Sequence, residues 1–243
     1  MSIVEKVIPI LKFLKFYHQH KVVGLERLPE HGAALVLFNH SLATYDMGLF
    51  GYASYEKYGR FPRVLADHFF FKADWMAQLV EGIGGVDGNM DNGLELLKKG
   101  ELVGIAPGGM RESLRPSSQR YQLLWERRKG FAKMAIQAQV PVIITICPRA
   151  DDLYDVYPFP MTKAIYKRWK FPFFLARGFG LSLLPRPVQL THYVSEPIQP
   201  PKLPKHKKKQ EQVFEEFHQF LVESAQKLLA QAVITPYSLE KKL

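Results

Sequence analysis

The chain has 243 residues, of which 47% are hydrophobic, enough for one sizeable core and too few for several domains. Its formal net charge of +10 points to an anionic partner: nucleic acid, anionic lipid or a phosphorylated small molecule. The single cysteine, Cys147, excludes an internal disulfide framework and a CxxC metal or redox site; within VPVIITICP it reads as a small packed hydrophobe.

Residues 3–17 predict an amphipathic helix, with Ile3, Val7, Ile10, Leu11 and Leu14 on one face and Lys6 and Lys12 elsewhere on the wheel. Such a stripe suits a helix lying in a membrane interface, and equally a helix packed on its own domain. Pro9 is expected to kink this helix or limit its start. The segment has lysines inside its apolar stretch and no small-residue cleavage site, so it does not read as a signal peptide. No run of 18 or more apolar residues occurs that would span a bilayer comfortably.

The run Ala33–Phe38 predicts a buried strand that opens into a loop at Asn39-His40. A helical pattern follows over roughly 47–58, then a short strand at Arg63–Ala66 and a helical stretch at Phe71–Val80. Gly82, Gly84, Gly85 and Gly88 read as a flexible turn, and Asn92–Lys99 as a helix stopped by Gly100. Glu101–Ala106 is a predicted strand ending in PGGMRES; Lys129–Gln139 is helical, Val140–Ile146 a strand and Val188–Val194 the last strand. After PPKLPKHKKK, a helix is expected from about Gln210 to Val233, with Val213, Phe217, Leu221 and Leu228 among its apolar positions. This alternation predicts an α/β fold: a single domain with a mainly parallel mixed sheet flanked by helices, plus the N-terminal amphipathic helix and the C-terminal helix. The expected divisions are 1–20, a membrane-surface helix; 21–201, the α/β domain; and 202–243, a basic linker and helix.

Chemistry in such sheets gathers at the carboxyl ends of strands, where both His40 and the PGGMR loop fall. Among eight histidines, His18, His20, His31, His206 and His218 sit in polar surroundings that single out nothing, and His192, in a predicted strand, suits the core equally well. His40 differs because Asp46 follows within one loop, NHSLATYD. An imidazole held by a carboxylate is a competent general base. Asp46 also directly precedes a helical pattern and fits its N-cap; the two roles are compatible. GxSxG, HExxH, GxxxxGK[ST] and strict GxGxxG patterns do not occur. Gly108-Gly109 after a strand offers backbone N–H groups to an oxyanion or phosphate, and Arg111 can fork onto a phosphate; an ordinary glycine turn with a solvated arginine is the plainer alternative.

Taken together, four blocks resemble the ordered motifs of the glycerolipid acyltransferase superfamily, whose best-known members are the 1-acylglycerol-3-phosphate acyltransferases. FNHSLATYD stands for NHx4D, GIGGVDGNMDNG loosely for a glycine- and arginine-containing block, APGGMRES for FPEGTRS, and Val140-Pro141-Val142-Ile143 for a VPI-type strand. The lead-in GLERLPEHGAALVLFNHS and the closing RPVQLTHYVSEPIQPP extend the resemblance over roughly 21–201. Two departures stand out. Five residues separate His40 from Asp46 where the family has four, and Gly108 and Met110 replace the glutamate and threonine of the third motif. Both look like a divergent, diacylglycerol acyltransferase-like branch.

The resemblance implies O-acyl transfer from acyl-CoA or acyl carrier protein to a hydroxyl of a lysophospholipid or another glycerolipid. His40 would be the general base, Asp46 its support, and Gly108, Gly109 and Arg111 the substrate-binding residues. It implies no cofactor beyond the thioester co-substrate, no metal, no nucleic-acid partner, and a peripheral or monotopic place on the cytoplasmic face of a membrane. The rival expectations are a hydrolase, in which the same base activates water, and a non-catalytic basic membrane binder, for which His40 is dispensable.

Overall fold

The computed structural model describes residues 3–126, 128–158 and 175–234. Its strands are β1 (Lys21–Val23), β2 (Ala34–Phe38), β3 (Arg63–Ala66), β4 (Gly85–Asp87), β5 (Leu102–Ile105), β6 (Val142–Ile146), β7 (Asp155–Tyr157), β8 (Leu175–Arg177) and β9 (Thr191–Val194). Seven of them form one sheet in the order β1-β9-β6-β2-β5-β3-β4, while β7 and β8 pair separately. From β6 through β4 every pairing is parallel; β9 runs antiparallel to β6, and β1 follows β9. The sheet is therefore mixed and mainly parallel, as the alternation of elements predicts. The helices are α1 (Ile3–Tyr17), α2 (Tyr45–Tyr58), α3 (Asp74–Gly82), α4 (Met90–Lys98), α5 (Gly109–Ser113), α6 (Gly130–Ala138) and α7 (Lys207–Ile234).

β2 is buried along its whole length, which explains why ALVLF reads as an unbroken apolar run. Leu35 and Leu37 point to one side, where Trp125, Phe131, Ile144 and the α7 residues Phe214, Phe217 and Leu221 complete a core. Ala34, Val36 and Phe38 point to the other side, toward Phe50 of α2 and Ile143. Each large side chain so buried contributes about 1.5–3 kcal/mol. The C-terminal helix is thus one wall of the main core.

α1 runs unbroken through Pro9. Its inner stripe, Val7, Leu11 and Leu14, packs with Leu49 and Tyr52 of α2, so most of the apolar face read from the sequence is a packing face. Ile10, Phe13 and Phe16 form a second stripe that is 60%, 63% and 84% exposed. The side chains of Ile3 and Lys6 lie outside the described residues, as do the first four residues of FPFFLARGFGLSLLPR and the chain from 235 onward. Among the described residues, no helix is long and apolar enough to cross a membrane.

One short element differs from the sequence reading for a physical reason. The glycines around 84–88 carry β4 and not a loose turn. A side chain at Gly85 would place its Cβ 2.3 Å from Val80 Cγ1, so glycine lets this edge strand close on α3. Gly100 ends α4 as expected, at φ 83, with its N–H bonded to Leu97 O.

Candidate active site

β2 delivers Asn39-His40 to the carboxyl end of the sheet. The Asn39 amide bonds reciprocally with the backbone of Cys147: Nδ2 donates to its carbonyl at 3.1 Å and Oδ1 accepts its N–H at 2.7 Å. These two bonds tie the ends of β2 and β6 together directly beneath His40. The His40 ring donates from Nδ1 to the Ser41 carbonyl at 3.0 Å. Burial, helped by the positive charges of Arg115 and Arg128 and opposed by the bond to Ser41, lowers its pKa to about 4. The ring is therefore neutral at pH 7. Since Nδ1 holds its one proton, Nε2 carries a free lone pair, the state a general base needs.

The PGGMRES segment meets His40 through a residue that sequence reasoning passed over. Glu112, in α5, is fully buried, and its carboxylate accepts the His40 backbone N–H at 2.7 Å and the Leu124 N–H at 2.7 Å. Arg115 donates to the His40 carbonyl at 2.7 Å and forms a buried ion pair with Asp151. Both backbone polar groups of His40 are thus fixed by side chains. Gly108 is required by this packing, because a Cβ there would lie 2.1 Å from Glu112 Oε2. Gly109 sits at φ 53, against the Arg128 guanidinium. The expectation that both glycines offer free N–H groups needs correction: Gly109 N–H is bonded to Ala106 O at 3.0 Å. Arg111 is exposed and has no partner among the described residues, so it is free to meet an anion.

Asp46 reaches the site by a different route from the one expected. It is the second residue of α2, behind Thr44 at the cap position, so it does not cap the helix. Thr44 holds φ 54, a strained value for a β-branched residue, and the loop tightens there with Tyr45 N–H bonded to Ala43 O at 2.6 Å. The Asp46 carboxylate accepts from Ser41 Oγ at 3.2 Å, whereas His40 Nδ1 is committed to the Ser41 carbonyl. The structure joins His40 and Asp46 through Ser41, with no direct hydrogen bond between them among the described residues. Ser41→Ala should therefore lower kcat about 5- to 10-fold, the scale of one positioning hydrogen bond. An unchanged kcat would detach Asp46 from the chemistry.

The histidines in polar sequence surroundings are not uniformly exposed: His18, His20 and His218 are buried. His18 donates from Nδ1 to Val188 O at 2.9 Å and takes the Tyr45 hydroxyl on Nε2 at 2.7 Å. It thereby couples the end of α1 to the His40–Asp46 loop. No local pattern marks these roles. Glu112, by contrast, stands inside the third motif one helical turn after Gly108, and that spacing is readable.

A family model for acyltransferases matches residues 19–147, just over half of the chain. The bovine protein named DGAT1/2-independent enzyme synthesizing storage lipids is 33% identical over 184 residues, which cover 75% of this chain and 53% of that one. Its human counterpart is also 33% identical, with 75% and 54% covered. Diacylglycerol O-acyltransferase 2 of Dictyostelium discoideum is 30% identical over 53% of this chain and 42% of its own. The chain thus spans about half the length of the relatives it matches. In fold it resembles the 1-acyl-sn-glycerophosphate (LPA) acyltransferase PlsC from Thermotoga maritima, at 17% identity and a TM-score of 0.52, covering 91% of this chain and 79% of that one. With the family model over more than half of its length and the ordered motifs in agreement, the chain belongs to the acyltransferase family, and it is similar to relatives named for storage-lipid synthesis and diacylglycerol acylation.

Proposed function

We propose that the protein transfers a fatty acyl group from a thioester donor, acyl-CoA or acyl carrier protein, to a glycerolipid hydroxyl at a membrane surface. The observation that carries this reading is the His40 Nδ1 contact to the Ser41 carbonyl at 3.0 Å, which places the ring proton on Nδ1 and leaves the Nε2 lone pair free. Nε2 takes the proton of the acceptor hydroxyl as its oxygen attacks the thioester carbonyl. The thiolate then leaves as the tetrahedral intermediate collapses, so no covalent enzyme intermediate is needed. The relatives' names point to neutral storage lipids, and Gly108 in place of a glutamate agrees with an acceptor other than lysophosphatidate. Arg111 would meet phosphate on donor or acceptor. Incubation of the purified protein with labelled acyl-CoA and either lysophosphatidate, monoacylglycerol or diacylglycerol tests the proposal. Acylated glycerolipid is the expected product; thioester cleavage at an equal rate without any acceptor would make the protein a hydrolase.

The membrane contact assigned to this activity is the exposed Ile10, Phe13 and Phe16 stripe together with Phe179, Leu181, Leu183 and Leu184. The two groups are neighbours, since the Tyr17 hydroxyl at the end of α1 donates to Pro185 O at 2.8 Å. Each phenylalanine leaving water contributes about 1.5–3 kcal/mol, so Phe13→Ser with Phe16→Ser should lower vesicle partition by about two to four orders of magnitude. The fold should persist, because both side chains point away from the core. Vesicle flotation measures this, and undiminished flotation of the double variant would place the contact elsewhere.

A further inference from the structure

We propose that Asp46, Cys147 and His192 form a buried binding site for one divalent transition-metal ion of the zinc class, placed behind the His40 loop. Their carboxylate oxygen, Sγ and imidazole nitrogen all lie within 4.8 Å of one another. All three residues are buried: Asp46 is 1% exposed, Cys147 and His192 0%. They come from three elements, the start of α2, the end of β6 and the start of β9, which the antiparallel β6–β9 pairing brings to the same end of the sheet.

The second observation is a pair of orphaned atoms. Among the described residues, Asp46 Oδ2 and His192 Nε2 have no hydrogen-bond partner, and they face each other at 3.8 Å. That separation is too long for a hydrogen bond. Leaving two such buried groups unsatisfied costs about 1–3 kcal/mol each. A cation between them satisfies both. Metal–oxygen and metal–nitrogen bonds of about 2.0–2.2 Å put the two ligand atoms about 3.4 Å apart across a tetrahedral angle, within half an ångström of the distance seen. The sulfur lies no more than 4.8 Å from the other two ligand atoms, so a side-chain adjustment of about 1 Å closes it onto the same ion.

The surroundings fit a ligand set. His192 Nδ1 lies 2.9 Å from His20 Nε2. With the proton on His192 Nδ1, His20 accepts it, and His192 Nε2 turns a lone pair toward the Asp46 carboxyl, free to ligate an ion. A ligating imidazole held through its other nitrogen is the usual outer-shell pattern. Charge balances as well: a divalent ion with one thiolate, one carboxylate and one neutral imidazole is a net-neutral group, suited to a dry interior. Binding replaces the thiol proton, Cys–SH + M²⁺ → Cys–S–M⁺ + H⁺, so the ion, and not the protein, produces the thiolate that burial and Asp46 otherwise disfavour. Sulfur and nitrogen donors select zinc-class ions over magnesium or calcium. The other carboxylate oxygen stays on Ser41, so the ion would brace the loop that presents His40 without touching substrate.

Cobalt(II) titration of the untagged, chelator-treated full chain tests this site. Cys147 is the only cysteine, so any thiolate-to-cobalt charge-transfer band must arise there. One equivalent of Co²⁺ is expected to give that band with tetrahedral d–d absorption, and Zn²⁺ should displace it. Cys147→Ala, a small apolar replacement in an apolar setting, should keep the fold by circular dichroism yet lose the band. Metal-replete wild type should carry about one zinc by mass spectrometry, and Cys147→Ala at least tenfold less bound ion. The proposal is overturned if no charge-transfer band forms, if bound metal in the wild type does not exceed that in Cys147→Ala, or if the band persists in the variant. The bridging group would then be water.

Discussion

His40→Ala is expected to lower acyl transfer by roughly 10² to 10⁴, the range of a lost general base, while leaving the fold in place. The structural half of this expectation follows from which atoms do the holding. The bonds that pin this residue run to its backbone N–H from Glu112 and to its carbonyl from Arg115, and both survive in alanine. Only the ring and its bond to the Ser41 carbonyl disappear. The pH profile adds an independent check. With a pKa near 4, the free base is the dominant form across the neutral range, so the rate should not rise through the ordinary histidine value of 6.5. The His40 contribution should instead be lost as the pH falls through about 4. Parental turnover in His40→Ala would move the general base to another residue, absence of turnover in the wild type would leave a basic membrane-binding protein as the better reading, and a wild-type profile that titrates near 6.5 would place His40 in wetter surroundings.

How legible this site was in the sequence depends on whether a residue acts locally or across the sheet. His40 announces itself because a buried apolar strand ends at it and a carboxylate follows within the same loop. The strands are readable for the same reason: ALVLF and VIITI lie between two apolar layers, and burial on both faces leaves continuous hydrophobic runs. β1, β4, β7 and β8 have three residues each, too few for any period to stand out. For the His40–Asp46 pair, sequence spacing gives proximity and not orientation. The extra residue and the left-handed turn at Thr44 hand the carboxylate to Ser41 instead. His18, Arg115 and His192 act on partners far away in the chain, and no local pattern can report a contact set by tertiary folding. The apolar stripe on α1 illustrates a related ambiguity: one helix carries both a packing face and an exposed face, and periodicity locates the first more strongly than the second.

Glu112→Gln should be more damaging than its near-identical size suggests. The native carboxylate receives two N–H groups, from His40 and Leu124, one on each oxygen. Glutamine offers a single acceptor oxygen, and its amide NH₂ must face one of the two donors. A buried N–H without a partner costs about 1–3 kcal/mol, which in a chain of this size lowers Tm by about 2–4 °C per kcal/mol. Because the orphaned donor can be His40 itself, kcat should fall by at least tenfold as the base loses its backbone anchor. Gly108→Ala should mimic part of this defect without touching the carboxylate, since its methyl group would occupy the space of Oε2. The carboxyl also sets a pH signature. Burial raises its pKa from 4.5 to about 7, against the pull of Arg115 and the two N–H groups. Between those values the native state holds a proton that the unfolded chain has released, so the Glu112 contribution to stability declines as pH rises from about 4.5 to 7 and is constant outside that window. Thermal melts of wild type and Glu112→Gln from pH 4 to 8 should diverge in slope only there. Parallel curves, or a Glu112→Gln enzyme with parental kcat, would show that this carboxylate neither carries the shifted proton nor holds His40 in place.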